Sequence, residues 1–199
     1  MPVEATSHRR PVARSASIRT TLRAYALASM ATRTSAGILL YRRTPRGLEV
    51  LLAHPGGPIM AAKDEGHWSI PKGELDGDDP ERAARREFEE ETGLSVADAT
   101  LVDLGSTRQK GGKLVLAWGA EGDLDPARAV SNTFVMEWPP RSGRTQEFPE
   151  IDRVAWFSLD EARRRLKEAQ AVFLDRLAGL LGEPAVDLSE ASAPAGPSG

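Results

Sequence analysis

The sequence predicts an α/β fold, an α/β/α sandwich in which a mixed β-sheet lies between helices. Short apolar runs of strand length, separated by turns rich in Gly and Pro, occur both before and after one short charged helix. Nearer the C-terminus, apolar residues recur at helical spacing, so helices are available to cover the sheet. With 199 residues, of which 40% are hydrophobic, the chain is long enough for one domain with a sizeable core and tails.

The first strands are predicted at residues 35–41 (SAGILLY) and 48–53 (LEVLLA). The segment RRTPRG joins them and supplies a Pro and a Gly for a turn, so the pair is typical of a β-hairpin. A short strand is expected at residues 68–70. Further strands are expected at residues 100–106, 113–120, 133–138 and 154–157.

A helical region is predicted from Leu159 to Leu181, as one broken helix or two consecutive helices. It begins with Ser158 and Glu161, which are spaced as a capping box. From residue 183 onward Pro, Ala, Ser and Gly dominate, and we expect residues 183–199 to be a disordered tail.

The first 31 residues differ in kind from the rest of the chain. Up to Ser29, Arg stands among Ser, Thr and Ala, and Glu4 is the only acidic residue. This composition is typical of an organellar transit peptide, but also of an unstructured extension or of a start site placed before a true start at Met30. We favour the extension or the early start site over a transit peptide, because Arg is frequent throughout the chain. The domain itself is therefore predicted at residues 32–182.

Composition excludes several classes of function. The net charge of −3 leaves no excess of Lys and Arg to neutralise an extended nucleic acid. Zero cysteines exclude a disulfide framework, a thiolate zinc site and a cysteine nucleophile. No apolar run has the length that spans a bilayer. We therefore expect a cytoplasmic protein without a membrane or an extended nucleic acid as its partner.

The charged helix is predicted at residues 80–92, because Asp79 is a typical N-cap before Pro80, and Gly93 can end the helix in a left-handed conformation. Within it, Glu87, Glu90 and Glu91 are spaced three and four residues apart and share one face.

Like charges at this spacing repel, so either solvent screens these glutamates or a cation binds between them. Hard divalent cations such as Mg²⁺ prefer oxygen ligands of this kind. A solvated helix face is the alternative, and the surrounding residues decide between the two.

Residues 86–94 read REFEEETGL and match, at every specified position, the core of the Nudix box, Arg-Glu-U-X-Glu-Glu-X-Gly-U, in which U is a bulky apolar residue. Pro71-Lys72-Gly73 and Gly77-Asp78 resemble the loop half of the same box. The chain thus resembles Nudix hydrolases over residues 32–181. That resemblance implies an α/β/α sandwich, a Mg²⁺ cofactor that Mn²⁺ can replace, and hydrolysis of a nucleoside diphosphate linked to another group.

The resemblance also implies roles for individual residues. Glu87, Glu90 and Glu91 would bind the metal together with the carbonyl oxygen of Gly73. Nudix enzymes commonly draw one more carboxylate from outside the box, ahead of a Trp at the end of the sheet. Glu150, six residues before Trp156, fits that place best, and Glu147 is the second choice.

Among these acids, Glu90, Glu91 and Glu150 are the candidate catalytic groups, and the sequence does not decide which one accepts the proton. Arg86 lies four residues before Glu90 and can hold it through a charge-assisted hydrogen bond.

The loop departs from the family pattern. Counting back from Arg86 places Asp78 where the family has Glu, and Lys72 where it has Gly. Gly73 is therefore one residue too close, which indicates a deletion of one residue at positions 75–77. We expect the loop to tighten there, at Gly77, with the helix register intact.

The substrate is less strongly indicated. The Pro-Lys-Gly opening is similar to that of Nudix enzymes acting on dinucleoside polyphosphates. Cationic residues that could contact outer phosphates are Lys72, Lys113, Arg141 and Arg144, and aromatic residues that could stack on a base are Trp68, Trp118, Trp138 and Phe134. His54 and His67 are weaker candidates for a catalytic role. A catalytically silent nucleotide sensor is the alternative, favoured by the shortened loop alone.

Overall fold

The computed structural model describes residues 33–183, so the predictions for residues 1–31 and for nearly all of the C-terminal tail concern residues outside this range. The described chain has eight strands: β1 (Thr34–Thr44), β2 (Gly47–Pro55), β3 (Lys72–Glu74), β4 (Leu101–Arg108), β5 (Leu114–Glu121), β6 (Thr133–Glu137), β7 (Thr145–Pro149) and β8 (Ile151–Ser158). Its α-helices are α1 (Pro80–Thr92), α2 (Leu159–Arg165) and α3 (Ala171–Leu181).

Six strands form one mixed sheet in the order β4-β5-β1-β2-β8, with β3 paired to β1. Strand β1 runs parallel to β5 along one side. On its other side it pairs antiparallel with β3 through Ser35–Gly37 and with β2 through Tyr41–Thr44. Strands β6 and β7 form a separate two-stranded sheet. The predicted α/β sandwich around a mixed sheet is confirmed.

Helix α1 begins and ends where its sequence indicates. The side chain of Asp79 accepts hydrogen bonds from the backbone N–H groups of Glu81 (3.1 Å) and Arg82 (3.2 Å). At the other end, Gly93 has φ 67° and its N–H donates to the carbonyl of Glu89. The cap predicted for α2 is also present, since Ser158 Oγ accepts from the N–H of Glu161 at 3.3 Å.

The core lies on both faces of the sheet. On one face, α2 and α3 pack on alternating residues of the first hairpin, including Leu39, Val50 and Leu52, and α3 contributes Phe173 and Leu174. On the other face, α1 contacts β1 and β3, and its Ala83, Ala84 and Phe88 are fully buried. Burial of one side of α1 leaves its acidic side turned away from the core.

One predicted strand is absent, and one observed strand was not predicted. Residues 68–70 make isolated bridges, because Ser69 pairs with Ala53 of β2 while Trp68 bonds to the backbone of Arg165. The strand that precedes α1 is instead β3. Strand β7 was not predicted, because its sequence TQEFP is largely exposed and polar and therefore carries no apolar alternation.

Among the described residues, no helix is long and apolar enough to cross a bilayer.

Candidate active site

Helix α1 carries the glutamates at the edge of its buried side. Phe88 is fully buried and fixes the rotation of the helix against the sheet. As a result Glu87 and Glu91 are half-buried, whereas Glu90 is exposed. The carboxylates therefore occupy different environments although they share one helix face.

The carboxylate of Glu87 lies directly against the backbone of Gly73 in β3. A Cβ atom added to Gly73 would stand 1.6 Å from Glu87 Oε2, so that no side chain fits at this position while Glu87 stays in place. Burial raises the pKa of Glu87 above the ordinary range, and the neighbouring charge of Arg86 opposes that rise. A larger residue at position 73 would therefore displace the Glu87 carboxylate.

Glu91 is held by the backbone of β3. Its Oε2 accepts a hydrogen bond of 2.7 Å from the N–H of Lys72. Burial raises the pKa of Glu91 to about 7; the charge and N–H of Lys72 oppose this rise, and the like charges of Glu87 and Glu150 add to it. Burial also lowers the pKa of the Lys72 ammonium, against the attraction of Glu91. The charged forms of both groups are therefore poorly solvated at this place.

Arg86 bridges two of the box glutamates. Its Nη2 lies 2.7 Å from Glu87 Oε1 and its Nη1 lies 3.0 Å from Glu90 Oε2. The second contact is the hydrogen bond that the helical spacing predicts. A third carboxylate, Asp78, lies 3.7 Å from Arg86 Nε. One guanidinium thus balances acidic groups that would otherwise repel one another.

The shortened loop closes as a tight turn between Leu75 and Asp78. The N–H of Asp78 donates to the carbonyl of Leu75 at 2.8 Å, and the two residues between them have positive φ, 45° at Asp76 and 86° at Gly77. The chain tightens where the deletion was inferred. Gly77 accepts this conformation at little cost, whereas Asp76 does so with strain.

Glu150 lies between β7 and β8, where its N–H donates to the carbonyl of Asn132 and its carbonyl accepts from the N–H of Gly56. Its side chain is exposed, and its charge acts on Glu91. Glu147, the second choice, instead accepts a hydrogen bond from the hydroxyl of Thr133 within the small sheet. Of the two acids outside the box, Glu150 thus acts on a box glutamate through its charge, whereas Glu147 bonds within the small sheet.

The four carboxylates suit a divalent cation in their chemistry. Glutamate oxygens are the donors that Mg²⁺ and Mn²⁺ prefer, and the Glu87 carboxylate lies beside the backbone of Gly73. No cluster of three or more His, Asp or Glu among residues 33–183 already has metal-binding geometry. In this arrangement Glu87 and Glu90 both contact Arg86.

The remaining candidates are spread over the domain. Arg141 and Arg144 are exposed in the turn between β6 and β7, where Arg141 has φ 63°. Lys113 pairs with Glu74 of β3 at 3.2 Å. His67 Nδ1 lies 2.7 Å from the carbonyl oxygen of Glu65 in a surface loop.

His54 is fully buried. Its Nδ1 lies 2.6 Å from Asp152 Oδ1 and its Nε2 lies 2.7 Å from the carbonyl oxygen of Lys63. Both ring nitrogens are thus engaged, so His54 links β2 to β8 and to the following loop.

The aromatic candidates divide in the same way. Trp68 is 3% exposed and packs edge-on against His54, so it belongs to the core. Trp118, Trp138 and Phe134 are half-buried, and Phe134 faces Gly57.

Two spaces border the glutamates. One of about 370 Å³ is lined by Glu91 together with Ser131, Asp152 and Arg153. The other, of about 560 Å³, is lined by Arg86 and Glu90, again with Ser131. The sequence analysis missed Ser131 and Asp152, because neither belongs to a motif and each reaches the site only through the fold.

Comparisons with known proteins cover the domain that carries this site. The family model described as the NUDIX domain matches residues 31–177. No curated protein matches the chain.

Among solved structures, the chain is similar to a C. elegans Ap4A hydrolase in a binary complex, at 24% identity and a TM-score of 0.52, over 76% of this chain and 98% of that one. It is also similar to RenU, a Nudix hydrolase from M. smegmatis, at 23% identity and a TM-score of 0.50, over 78% and 89% of the two chains. The NUDIX domain of Shewanella oneidensis NrtR, complexed with ADP ribose, gives 15% identity and a TM-score of 0.50, over 76% and 89%. These similarities show the fold.

Proposed function

The chain belongs to the Nudix family and is a pyrophosphohydrolase of that family, and from this premise we propose that it cleaves a phosphoanhydride bond in a nucleoside diphosphate linked to another group. The observation that carries the proposal is a pair of contacts between α1 and β3. The Glu87 carboxylate packs against the backbone of Gly73, and Glu91 accepts a hydrogen bond from the N–H of Lys72. A solvated helix face would not need this fit.

The reaction brings water toward a phosphorus atom already surrounded by anionic oxygens, so a site for it must first offset negative charge. Glu87, Glu90, Glu91 and Glu150, with the carbonyl of Gly73, are the groups that would hold a divalent cation. When bound, Mg²⁺ or Mn²⁺ neutralises phosphate charge and lowers the pKa of a coordinated water.

The protein groups have separate tasks in this proposal. Arg86 orients Glu87 and Glu90 by its two contacts. Glu91, with a pKa of about 7, can hold or give up a proton near neutral pH. Glu150, between β7 and β8, acts on Glu91 through its charge and is proposed as an additional metal ligand or as the general base.

For the substrate, we propose a dinucleoside polyphosphate. The support is the Pro71-Lys72-Gly73 opening and the group of cations near Glu91, in which Lys72, Lys113 and Lys167 act electrostatically on one another. The C. elegans relative is named an Ap4A hydrolase, but its similarity to this chain concerns the fold, so it does not identify the substrate. Arg141 and Arg144 remain proposed contacts to outer phosphates.

A catalytically silent sensor is disfavoured, because its only motivation was the shortened loop. The turn at Asp76 and Gly77 accommodates that deletion while Gly73 still lies beside Glu87.

The test is a screen of nucleotides with the full chain, following release of mononucleotide or phosphate. We expect turnover with Mg²⁺ or Mn²⁺, no turnover after exhaustive chelation, and a higher rate under alkaline conditions, because the carboxylates must be ionised to bind a cation. Undiminished turnover in a chelator would refute the metal-dependent mechanism. Nucleotide binding without any turnover would instead establish the sensor.

A further inference from the structure

A cleft of about 1000 Å³ lies outside the glutamate site, between the β4–β5 turn, the end of α2 and the short 3₁₀ turn before α3. Its charged lining consists of five cations and a single carboxylate: Arg108, Lys110, Arg163, Arg164, Lys167 and Glu168. The whole chain carries a net charge of −3, so this excess of positive charge is local. A concave basic surface of this size can hold a ligand with several negative charges.

The cations of the cleft are incompletely paired. Arg163 pairs with Asp175 of α3, Arg164 pairs with Glu161 of α2, and Lys110 lies 3.5 Å from Glu168. Within the described range 33–183, neither Arg108 nor Lys167 has a carboxylate within salt-bridge distance. Lys167 is also half-buried, and burial lowers the pKa of its ammonium.

Two further donors of the lining are buried without a hydrogen-bond partner among the described residues. They are Nε2 of Gln109, in the β4–β5 turn, and Nε of Arg163, in α2. Buried donors are normally satisfied, since an unpaired one carries a free-energy cost. Both atoms can only donate and are closed off from solvent, so an acceptor oxygen in the cleft would reach them only after their side chains move. Phosphate oxygens are acceptors of this kind and also match the charge of the cleft.

The cleft is connected to the glutamates through the segment that precedes β3. The N–H of Lys167 donates to the carbonyl of Trp68 at 2.9 Å, and the side chain of Gln170 accepts from the N–H of Ile70 at 3.0 Å. Lys72 follows two residues later. The charge of Lys167 acts on both Lys72 and Glu91, so the wall of the cleft lies within electrostatic range of the candidate active site.

We propose that this cleft is a second phosphate-binding site, which takes the phosphate groups of the substrate that lie beyond the bond that is cleaved. Arg163, Gln109 and Lys167 are its central contacts. The inference rests on the proposed function for the identity of its ligand, and it restricts the substrate class: a molecule with a chain of several phosphates uses the cleft, whereas a diphosphate joined to an uncharged sugar does not.

Direct binding is the first test. Inorganic tripolyphosphate is titrated calorimetrically into the full chain without a divalent cation. We expect Arg163→Gln to weaken binding by about tenfold or more, because it removes a charge-assisted donor. Asp175→Asn is the matched control, since it breaks the same ion pair but keeps the guanidinium in place; its binding should be unchanged or tighter. Lys167→Gln is a second variant that spares the Arg163–Asp175 pair.

Substrate discrimination is the second test. For Arg163→Gln, kcat/KM should fall at least about tenfold more for a dinucleoside tetraphosphate than for ADP-ribose. The loss should appear in KM and not in kcat, because the cleft would bind the substrate and the transition state equally well. Tripolyphosphate should inhibit hydrolysis of the tetraphosphate competitively.

The outcomes separate the two proposals. Equal tripolyphosphate binding by the wild type and both variants overturns the cleft, as does an equal loss of kcat/KM for the two substrates. Noncompetitive inhibition by tripolyphosphate would mean that the cleft binds a free polyphosphate, and it would overturn the proposal that the cleft binds the substrate. Weakened tripolyphosphate binding in a chain that hydrolyses no nucleotide would support the cleft as a phosphate site and refute the proposed hydrolase.

Discussion

The acidic site on α1 and the basic cleft beside α2 are two concentrations of charge that are balanced in different ways. At the acidic site, the charges already have internal partners: Arg86 contacts Glu87 and Glu90, and the N–H of Lys72 bonds to Glu91. In the cleft, donors of Gln109 and Arg163 are buried without a partner among residues 33–183.

This difference indicates how each region meets a ligand. A cation that binds the glutamates has to replace the contacts of Arg86, so its affinity depends on how readily those side chains rearrange. A phosphate that enters the cleft replaces no internal hydrogen bond at Gln109 Nε2 or Arg163 Nε. The acidic site is therefore sensitive to small displacements, and the cleft to loss of individual donors.

The largest effect is expected from Glu90→Gln, which keeps the shape of the side chain and removes its charge. We expect hydrolysis to fall by several orders of magnitude, because a proposed metal ligand is lost, while thermal stability stays unchanged or rises. Single-turnover kinetics with Mg²⁺ measure the effect. Glu89→Gln is the matched control, as a neighbouring exposed glutamate at a position that the box leaves free. A near-normal rate for Glu90→Gln would remove Glu90 from the site.

Next in size is Gly73→Ala. Its Cβ would stand 1.6 Å from Glu87 Oε2, so Glu87 must move. A displacement of this size at a catalytic centre can reduce kcat/KM about 100-fold. The free energy of unfolding should decrease by only about 1–2 kcal/mol, as a half-buried side chain can turn outward.

Gly179→Ala is the control for this change. Gly179 lies in α3 with no atom within 4 Å of an added Cβ, so alanine there should raise the free energy of unfolding by roughly 0.5–1 kcal/mol and leave turnover unaffected. Normal turnover by Gly73→Ala would mean that the seat of Glu87 does not matter for the reaction.

A smaller, pH-dependent effect is expected from Glu91→Gln. The pKa of Glu91 in the folded protein is about 7, above the 4.5 of a free glutamate, so the folded state binds the proton more tightly than the unfolded state. Wild-type stability attributable to Glu91 is thus fully present below about pH 4.5 and is lost as the pH rises through about 7. The substitution removes this loss.

Denaturant unfolding of the wild type and of Glu91→Gln at pH 5 and pH 8, without divalent cations, measures this pH-dependent change in the free energy of unfolding. The stability of Glu91→Gln relative to the wild type should increase between the two pH values by up to about 3 kcal/mol. Adding Mg²⁺ at pH 8 should reverse part of the gain, by stabilising the wild type. A difference that does not vary with pH would show that Glu91 is ionised normally.

The smallest effect concerns the loop. Inserting one glycine after Asp76 should preserve or improve Mg²⁺ affinity and rate, because the longer loop relieves the positive φ of 45° at Asp76. Asp76→Gly, which relieves the same strain at constant length, is the control and should raise the free energy of unfolding by about 0.5–1 kcal/mol. A folded insertion variant without activity would show that the short turn is itself required.

Helix α1 shows how far a local pattern reaches. Asp79, Pro80 and Gly93 predicted both ends of this helix, because caps depend on hydrogen bonds between neighbours in the chain. Strand β7 was missed for the complementary reason. Its exposed residues show no alternation, and it is a strand only because β6 lies beside it.

What the sequence by itself determined is the family, the sandwich fold, and the spacing of Glu87, Glu90 and Glu91 on one helix face. It also predicted a one-residue deletion in the loop, since the box register can be counted along the chain. All of these depend on residues within a few positions of one another.

Only the tertiary structure decided that Gly73 lies against Glu87, that Glu150 acts on Glu91, and that the β4–β5 turn meets α2 in a basic cleft. The physical reason is that burial and long-range contacts depend on how strands and helices pack. Glu87, Glu90 and Glu91 are equivalent in composition, but the rotation of α1 set by Phe88 gives them different exposure. Likewise, the net charge of −3 for the whole chain does not reveal the excess positive charge of the cleft, because that excess arises where segments distant in sequence meet.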